Sequence, residues 1–554
     1  MLSIRFLCLP LLLAATALAA PTAPDTPVLE KRTSPKVTLD KATFVGTGDG
    51  SVNKFLGIPF AKAPVGNLRF NLPAAVDPYN GTQTATAFGP ACPQQALSLP
   101  VLSGVLSDAA DTVVNGFLSL IEPSAEDCLS LNVMVPDGTK AGDNLPVAVW
   151  IFGGGFEIGG TNIYDGGGIV KRSAAMKSPM IFVSMNYRVS AYGFLASKEV
   201  KAAGVGNLGL QDQRLALQWV QKYITQFGGD PSKVTIWGES AGAISIALHM
   251  VSNGGDPQGL FRGAFMESGS PIPVGDIEHG QGDYDALVSQ TGCTGAADTL
   301  QCLREVDFSK LKKAVDASPS FFSFQALKLA WIPRVDGVFL TQPSQQLVVN
   351  GSVAKIPFVS GDCEDEGTLF SLSSLNVTTD AGARSYIKDV FTPNATDAEL
   401  DKLLSLYPST PSAGSPFGTG AFNAITPQFK RIAAFQGDLV FNAARRFFLQ
   451  QRAADQPVYS FLSKRFKVTP VLGAFHVTDV LNVFGGGELT DYLINFTNNL
   501  DPNGPTVPAW PQYTVAQPQL MTFLDGFTPT KITTDDFRKD AMSFVIELSL
   551  KYPL

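Results

Sequence analysis

Histidine is nearly absent from this 554-residue chain: only His249, His279 and His476 occur. Charge is sparse as well. Charged residues make up 16%, with 41 Lys and Arg against 49 Asp and Glu, for a formal net charge of −8. That balance excludes the basic surface a nucleic-acid partner requires. No C-x-x-C and no His-rich spacing is present, so no metal site is expected. Internal repeats and charged linkers are missing too. The 52 Gly and 38 Pro are dispersed, which excludes collagen-like and low-complexity chains. What the chain does have is apolar mass. Hydrophobic residues are 45% of it, too many for disorder, and the length allows a large core.

The N-terminus reads as an address. Arg5 precedes an apolar run from Phe6 to Leu18, closed by Ala17-Leu18-Ala19, the pattern of a signal peptide over residues 1–19. The run is shorter than the ~20 residues that span a bilayer, and no later segment reads as transmembrane. A Pro-rich stretch then ends at Lys31-Arg32, a dibasic pair resembling a propeptide site, so 20–32 would be removed and 33–554 kept. Cysteine usage agrees with secretion. Cys8 leaves with the signal, and Cys92, Cys128, Cys293, Cys302 and Cys363 remain. Five is odd, so one thiol is left over. Cys293 and Cys302 suit a small loop, and Cys92 with Cys128 would then close a larger one. N-x-S/T sequons at Asn80, Asn350, Asn376, Asn394 and Asn495 are expected to be surface glycan acceptors.

Dividing by a typical domain length would suggest roughly three or four domains, but the pattern argues for one. Leu145 to Phe152 is a continuous apolar run, as in a buried parallel strand. Met180–Met185 is another. Leu210 to Gln226 has helical spacing, Gly228-Gly229-Asp230-Pro231 breaks the chain, Lys233–Trp237 is a third strand, and Ala241 to Val251 a helix. Strands alternating with helices predict α/β architecture with a mostly parallel sheet.

Between the third strand and its helix stands Gly238-Glu239-Ser240-Ala241-Gly242, the one G-x-S-x-G of the sequence. A strand–turn–helix context is what a nucleophile elbow requires. A serine nucleophile needs a base. His249 follows nine residues later on the same helix and faces the other way. His279 sits in a polar, Gly-rich loop. His476, late in the chain, fits the order Ser, acid, His. The acid falls in Asp362-Cys-Glu-Asp-Glu-Gly367, after a predicted strand at 355–361. Spacing leaves Asp362, Glu364, Asp365 and Glu366 open. Gly153-Gly154-Gly155 directly follows the 145–152 strand, the place for amides of an oxyanion hole, which Ala241 would complete.

These residues resemble the type-B carboxylesterase/lipase family, and within it the Candida rugosa-type fungal lipases and sterol esterases. The matching stretches include Phe55–Phe60, Pro64–Phe70, Glu126–Leu129, Trp150–Phe156, Asn186–Arg188, Phe227–Gly242, Asp365–Thr368, Gly414–Phe417 and Asp536–Arg538. The resemblance implies an α/β-hydrolase fold, a single large domain with an inserted lid. It implies Ser240, Glu366 and His476 as catalytic residues and Gly154, Gly155 and Ala241 as the oxyanion hole. It also implies Cys92–Cys128 and Cys293–Cys302 disulfides and a structural Arg69–Glu126 ion pair. No cofactor is implied.

The lid would lie within 93–127. Residues 96–121 hold two charges, Asp108 and Asp111, and Leu102, Leu106, Ala109, Val113 and Phe117 recur at helical spacing. Opening such a lid exposes an apolar patch, suited to a lipid–water interface or to self-association. The resulting expectation is a secreted serine ester hydrolase for long-chain acylglycerols and sterol esters. A soluble carboxylesterase for short or aromatic esters is the alternative. A non-catalytic binding protein on the same fold is remote, because such proteins lack one of the three site residues.

Overall fold

In the computed structural model the described residues are 34–97 and 123–554. The predicted signal and propeptide segments, and most of the predicted lid, lie outside them.

The frame is an eleven-stranded sheet. Its strands are β1 (Thr47–Gly48), β2 (Val52–Pro59), β3 (Ser130–Pro136), β4 (Leu145–Ile151), β5 (Ile181–Met185), β6 (Gly229–Glu239), β7 (Gly263–Glu267), β8 (Phe358–Cys363), β9 (Val458–Ser463), β10 (Gln519–Phe523) and β11 (Thr530–Thr534). They lie in the order β11-β10-β9-β8-β7-β6-β4-β5-β3-β2-β1. Every neighbouring pair from β5 across to β10 is parallel, and the flanks are antiparallel. A separate three-stranded sheet is formed by Lys36–Leu39, Lys41–Val45 and Asn80–Thr84.

The central strands are covered on both faces, which is why they read as unbroken apolar runs. Val147 to Phe152, Ile181 to Val183 and Val234, Ile236 and Trp237 are all fully buried. The helix expected at 210–226 runs Leu208–Tyr223 and continues as a 3-10 turn to Phe227, and the strands expected at 145–152 and 180–185 are each one residue shorter; two other boundaries differ more. The third strand starts four residues before the predicted 233–237 and extends to Glu239, because Gly229 pairs with Leu145 across a bulge. Strand β8 starts later than the predicted 355–361 and runs through Asp362 to Cys363, paired with Leu462 and Ser463. The Ala241–Val251 helix has its expected ends.

Both disulfides form, Cys92–Cys128 and Cys293–Cys302. A 36-residue separation makes the larger worth about 4 kcal/mol in the chain-entropy model. Arg69 clamps the stem of that loop. Its Nε and Nη2 donate to the two Glu126 oxygens at 2.6 and 2.8 Å, and its Nη1 donates to the Arg304 and Val306 carbonyls. Among the described residues, Cys363 is the unpaired thiol and is buried. Among the sequons, Asn80, Asn350, Asn376 and Asn394 are exposed. Asn495 is a correction: it is buried in helix Glu488–Asn499, its amide donates to the Pro502 carbonyl, and Gly504 packs on it. The folded chain has no room for a glycan there.

Candidate active site

Strand β6 ends at Glu239, and Ser240 turns the chain into the helix Ala241–Val251. Ser240 sits at φ 54°, ψ −125°, a strained conformation for an L-residue. The turn holds because its backbone is tied on both sides. Ser240 N donates to the Glu267 carbonyl at 2.9 Å, and Ile244 N donates to the Ser240 carbonyl at 2.8 Å. Gly242 is required by contact: a Cβ there would lie 2.0 Å from the Ile151 carbonyl of β4.

Three predicted residues meet here. His476 Nε2 is 2.8 Å from Ser240 Oγ, and His476 Nδ1 is 2.5 Å from Glu366 Oε2. Glu366 Oε1 accepts from Cys363 N at 2.6 Å. All three side chains are buried. Burial is the main influence on His476 and lowers its pKa to about 4, so the ring is neutral at pH 7. Burial pushes the Glu366 carboxyl upward, while the Ser268 hydroxyl and Cys363 amide act the other way. The other two histidines stay apart. His249 is buried against Phe339, with Nε2 2.9 Å from Gln213 Oε1, and burial takes its pKa down to about 3. His279 is exposed in a short turn, Ile277–Gly280.

The four neighbouring carboxylates separate by partner. Asp362 lies in β8 and meets buried Arg445 at 2.8 Å. Glu364 is held by Lys464 and Lys467, each at 2.6 Å. Asp365 takes Lys467, Phe417 N, Ser415 Oγ and Ala474 N. Only Glu366 faces His476. The Asp365–Ala474 contact also pins the His476 loop against the turn that carries the acid.

Gly154 and Gly155, both at positive φ, line the same pocket as Ser240, Ala241 and His476. Among the described residues, the amides of Gly154, Gly155 and Ala241 donate to no protein acceptor. Tyr187 Oη donates to the Phe152 carbonyl at 2.8 Å and so fixes the peptide leading into the glycines. The pocket is a cavity of about 120 Å³ with almost wholly apolar walls, including Leu97, Phe321, Leu369, Phe370 and Phe441. Leu369 and Phe370 are the pair that follow the acid's turn in sequence.

Sequence reasoning missed three further buried acids around His476 and Glu366. Glu239 Oε1 lies 3.3 Å from His476 Nε2 without hydrogen-bond geometry. Gly153 makes room for it, since a Cβ there would lie 2.6 Å from Glu239 Oε2. Behind Glu366, Ser268 Oγ donates to Asp479 Oδ2 at 3.0 Å, and Trp237 Nε1 donates to Glu267 Oε1 at 2.5 Å. Burial raises Glu239 and Glu267 well above the carboxylate range and Asp479 to about 6. The only available signal was that Glu239 and Asp479 stand within three residues of site residues.

A model of the carboxylesterase family matches residues 34–542. The chain belongs to that family. It is therefore a carboxylic ester hydrolase of the α/β-hydrolase fold, and the resemblance drawn from its motifs is borne out. It is 45% identical to Lipase 4 of Diutina rugosa over 499 residues, 87% of this chain and 90% of that protein. Identity to Secreted lipase 1 of Botryotinia fuckeliana is 43% over 544 residues, 94% of each. Among solved structures, Aspergillus niger EstA matches with a TM-score of 0.79 at 27% identity, covering 94% of this chain and 99% of that one.

Proposed function

We propose that this carboxylesterase is a secreted lipase that cleaves long-chain acylglycerols and sterol esters through an acyl-enzyme on Ser240. The observation that carries the reading is the Ser240–His476–Glu366 hydrogen-bond chain at the wall of an apolar pocket. Neutral His476 takes the Ser240 proton through Nε2, and Oγ attacks the ester carbonyl. The carbonyl oxygen becomes an anion held by the amides of Gly154, Gly155 and Ala241. His476 then returns the proton to the leaving alcohol, and water, deprotonated by the same Nε2, releases the acid. Glu366 keeps Nδ1 as the protonated nitrogen and stabilises the imidazolium. Every group in these steps belongs to the chain or to water.

Substrate class follows from the walls. A pocket with so few polar groups binds an acyl chain by burial, at roughly 0.8 kcal/mol per methylene, so long chains gain most. The relatives named lipases support the same class. Secretion is supported by the N-terminal pattern at 1–19, the two disulfides and the relative named a secreted lipase. Under this reading 20–32 is a propeptide, 93–127 carries an apolar lid, and Asn80, Asn350, Asn376 and Asn394 accept glycans.

Initial rates on p-nitrophenyl butyrate, emulsified triolein and dispersed cholesteryl oleate test it, with Ser240→Ala as control. Turnover of both long-chain esters, lost in the variant, is expected. Turnover of butyrate alone would leave a soluble esterase.

A further inference from the structure

We propose that Phe422, Phe466, Val468 and Phe527, on three loops of which one leads to His476, form an anchor that seats the enzyme on an uncharged lipid–water surface. This rests on the lipid-ester reading above but places the contact outside the predicted lid.

The four side chains are conspicuously bare for an apolar set. Phe422 is 83% exposed, Val468 90% and Phe527 109%, with Phe466 at 41%. Phe466 and Val468 lie on the segment between β9 and His476. Phe527 lies in the turn from β10 to β11. Strands β9 and β10 are parallel neighbours, so both segments leave the sheet at its carboxyl edge, the edge to which β6 brings Ser240 and β8 brings Glu366. Val477, next to His476, lines the active-site pocket. The anchor therefore shares a loop with the residue that would do the chemistry.

Hydrogen bonds make one platform of the three loops. Asp525 accepts from Phe466 N at 3.0 Å and from Lys467 N at 3.1 Å. Asn423 Oδ1 accepts from Val471 N at 2.9 Å, which ties the Phe422 loop to the His476 segment.

Charge selects the partner. The cations interleaved with these side chains are used internally: Lys464 and Lys467 by Glu364, Lys467 also by Asp365, and Arg465 by Glu488, each at 2.6 Å. Those three cations are therefore not free for an anionic lipid or an acidic peptide. Its shape agrees. Side chains that stand clear of their neighbours need matching holes in a rigid protein partner, whereas a liquid surface closes around them. None of the five sequons falls on these loops, so no glycan would cover them.

The test uses the full chain with Ser240→Ala, so that the surface is not consumed. Partitioning onto a phosphatidylcholine-stabilised triolein emulsion is measured by flotation for this protein and for the triple variant Phe422→Ser, Val468→Ser, Phe527→Ser. Burying one Phe fully corresponds to a factor of about ten or more, so at least a tenfold loss of partitioning is expected from the triple variant. In the Ser240 enzyme the same three changes should leave turnover of dissolved p-nitrophenyl butyrate intact and lower triolein turnover. Val349→Ser and Val515→Ser, exposed residues on segments entering β8 and β10 from the other edge, should change neither. If the triple variant loses butyrate turnover, the single variants Val468→Ser and Phe527→Ser replace it. Unchanged partitioning overturns the anchor while leaving the lipase reading intact if triolein is still cleaved. A triple variant that shifts a dimer to monomer in sedimentation, with partitioning unchanged, assigns the surface to a second copy of the chain and also overturns it. A parent enzyme that neither floats nor cleaves triolein refutes the lipid-ester reading itself.

Discussion

Gly154→Ala should disable the enzyme while leaving it folded. Gly154 has φ +111°, where an alanine is strained by roughly 1–3 kcal/mol. The added Cβ would lie 2.3 Å from the Ile158 carbonyl oxygen, against an ordinary contact of about 3.5 Å. No rotamer relieves a clash with backbone, so the turn must open by about 1 Å. That turn is held by Glu157 N and Ile158 N, both donating to the Gly154 carbonyl at 3.1 Å. The displacement would carry the Gly154 and Gly155 amides out of the narrow range in which they hold an oxyanion. Losing one such donor costs about 10²–10³ in kcat, or about 2.7–4 kcal/mol. KM should change little, because the ground-state carbonyl does not depend on the hole. The assay is kcat and KM on p-nitrophenyl butyrate, with thermal unfolding followed by circular dichroism. Gly168→Ala is the control. Gly168 lies in helix Gly167–Ala175 with nothing within 4 Å of an added Cβ, so it should stabilise by roughly 1 kcal/mol and leave kcat alone. A Gly154→Ala enzyme within about threefold of wild-type kcat would refute the oxyanion assignment.

Three further outcomes follow from the buried charges. A His476 lowered to about 4 must be neutral to act as base, so the acid limb of kcat/KM should fall through about pH 4 and not near 6.5; an acid limb centred at 6.5 would contradict the burial argument. Burial pushes the Glu239 carboxyl well above the ordinary carboxylate range, toward its neutral form. Glu239→Gln should therefore keep kcat within about threefold and leave the pH profile in place, and a large loss would show that its charge matters. Arg445→Met strands Asp362, whose carboxylate Arg445 meets at 2.8 Å, while Asp535 keeps Arg446 at 2.7 Å. It should lower unfolding free energy by about 3–5 kcal/mol, with partial recovery when Asp362→Asn is added; a denaturant midpoint equal to wild type would mean the pair contributes nothing.

The parts of the site that were legible in sequence are local. Ser240 announces itself because strand, turn and helix fall within one contiguous stretch. His476 stands out because only three histidines exist. The acid was not local. Asp362, Glu364, Asp365 and Glu366 are told apart by Arg445, Lys464, Lys467 and His476, which lie about 80–110 residues downstream, so only the family resemblance singled out Glu366. Glu239 escaped notice because its burial depends on Gly153 lacking a side chain. Asn495 misled because a sequon reports three residues, while the cover over its helix comes from the 502–504 turn.

The most direct test of the central claim is where an acyl-mimicking inhibitor bonds. A p-nitrophenyl alkylphosphonate should phosphonylate Ser240 stoichiometrically, as located by peptide mass spectrometry, with esterase activity lost in step. His476→Ala should abolish the labelling. An adduct on any other residue, or ester hydrolysis persisting in Ser240→Ala, would contradict the account.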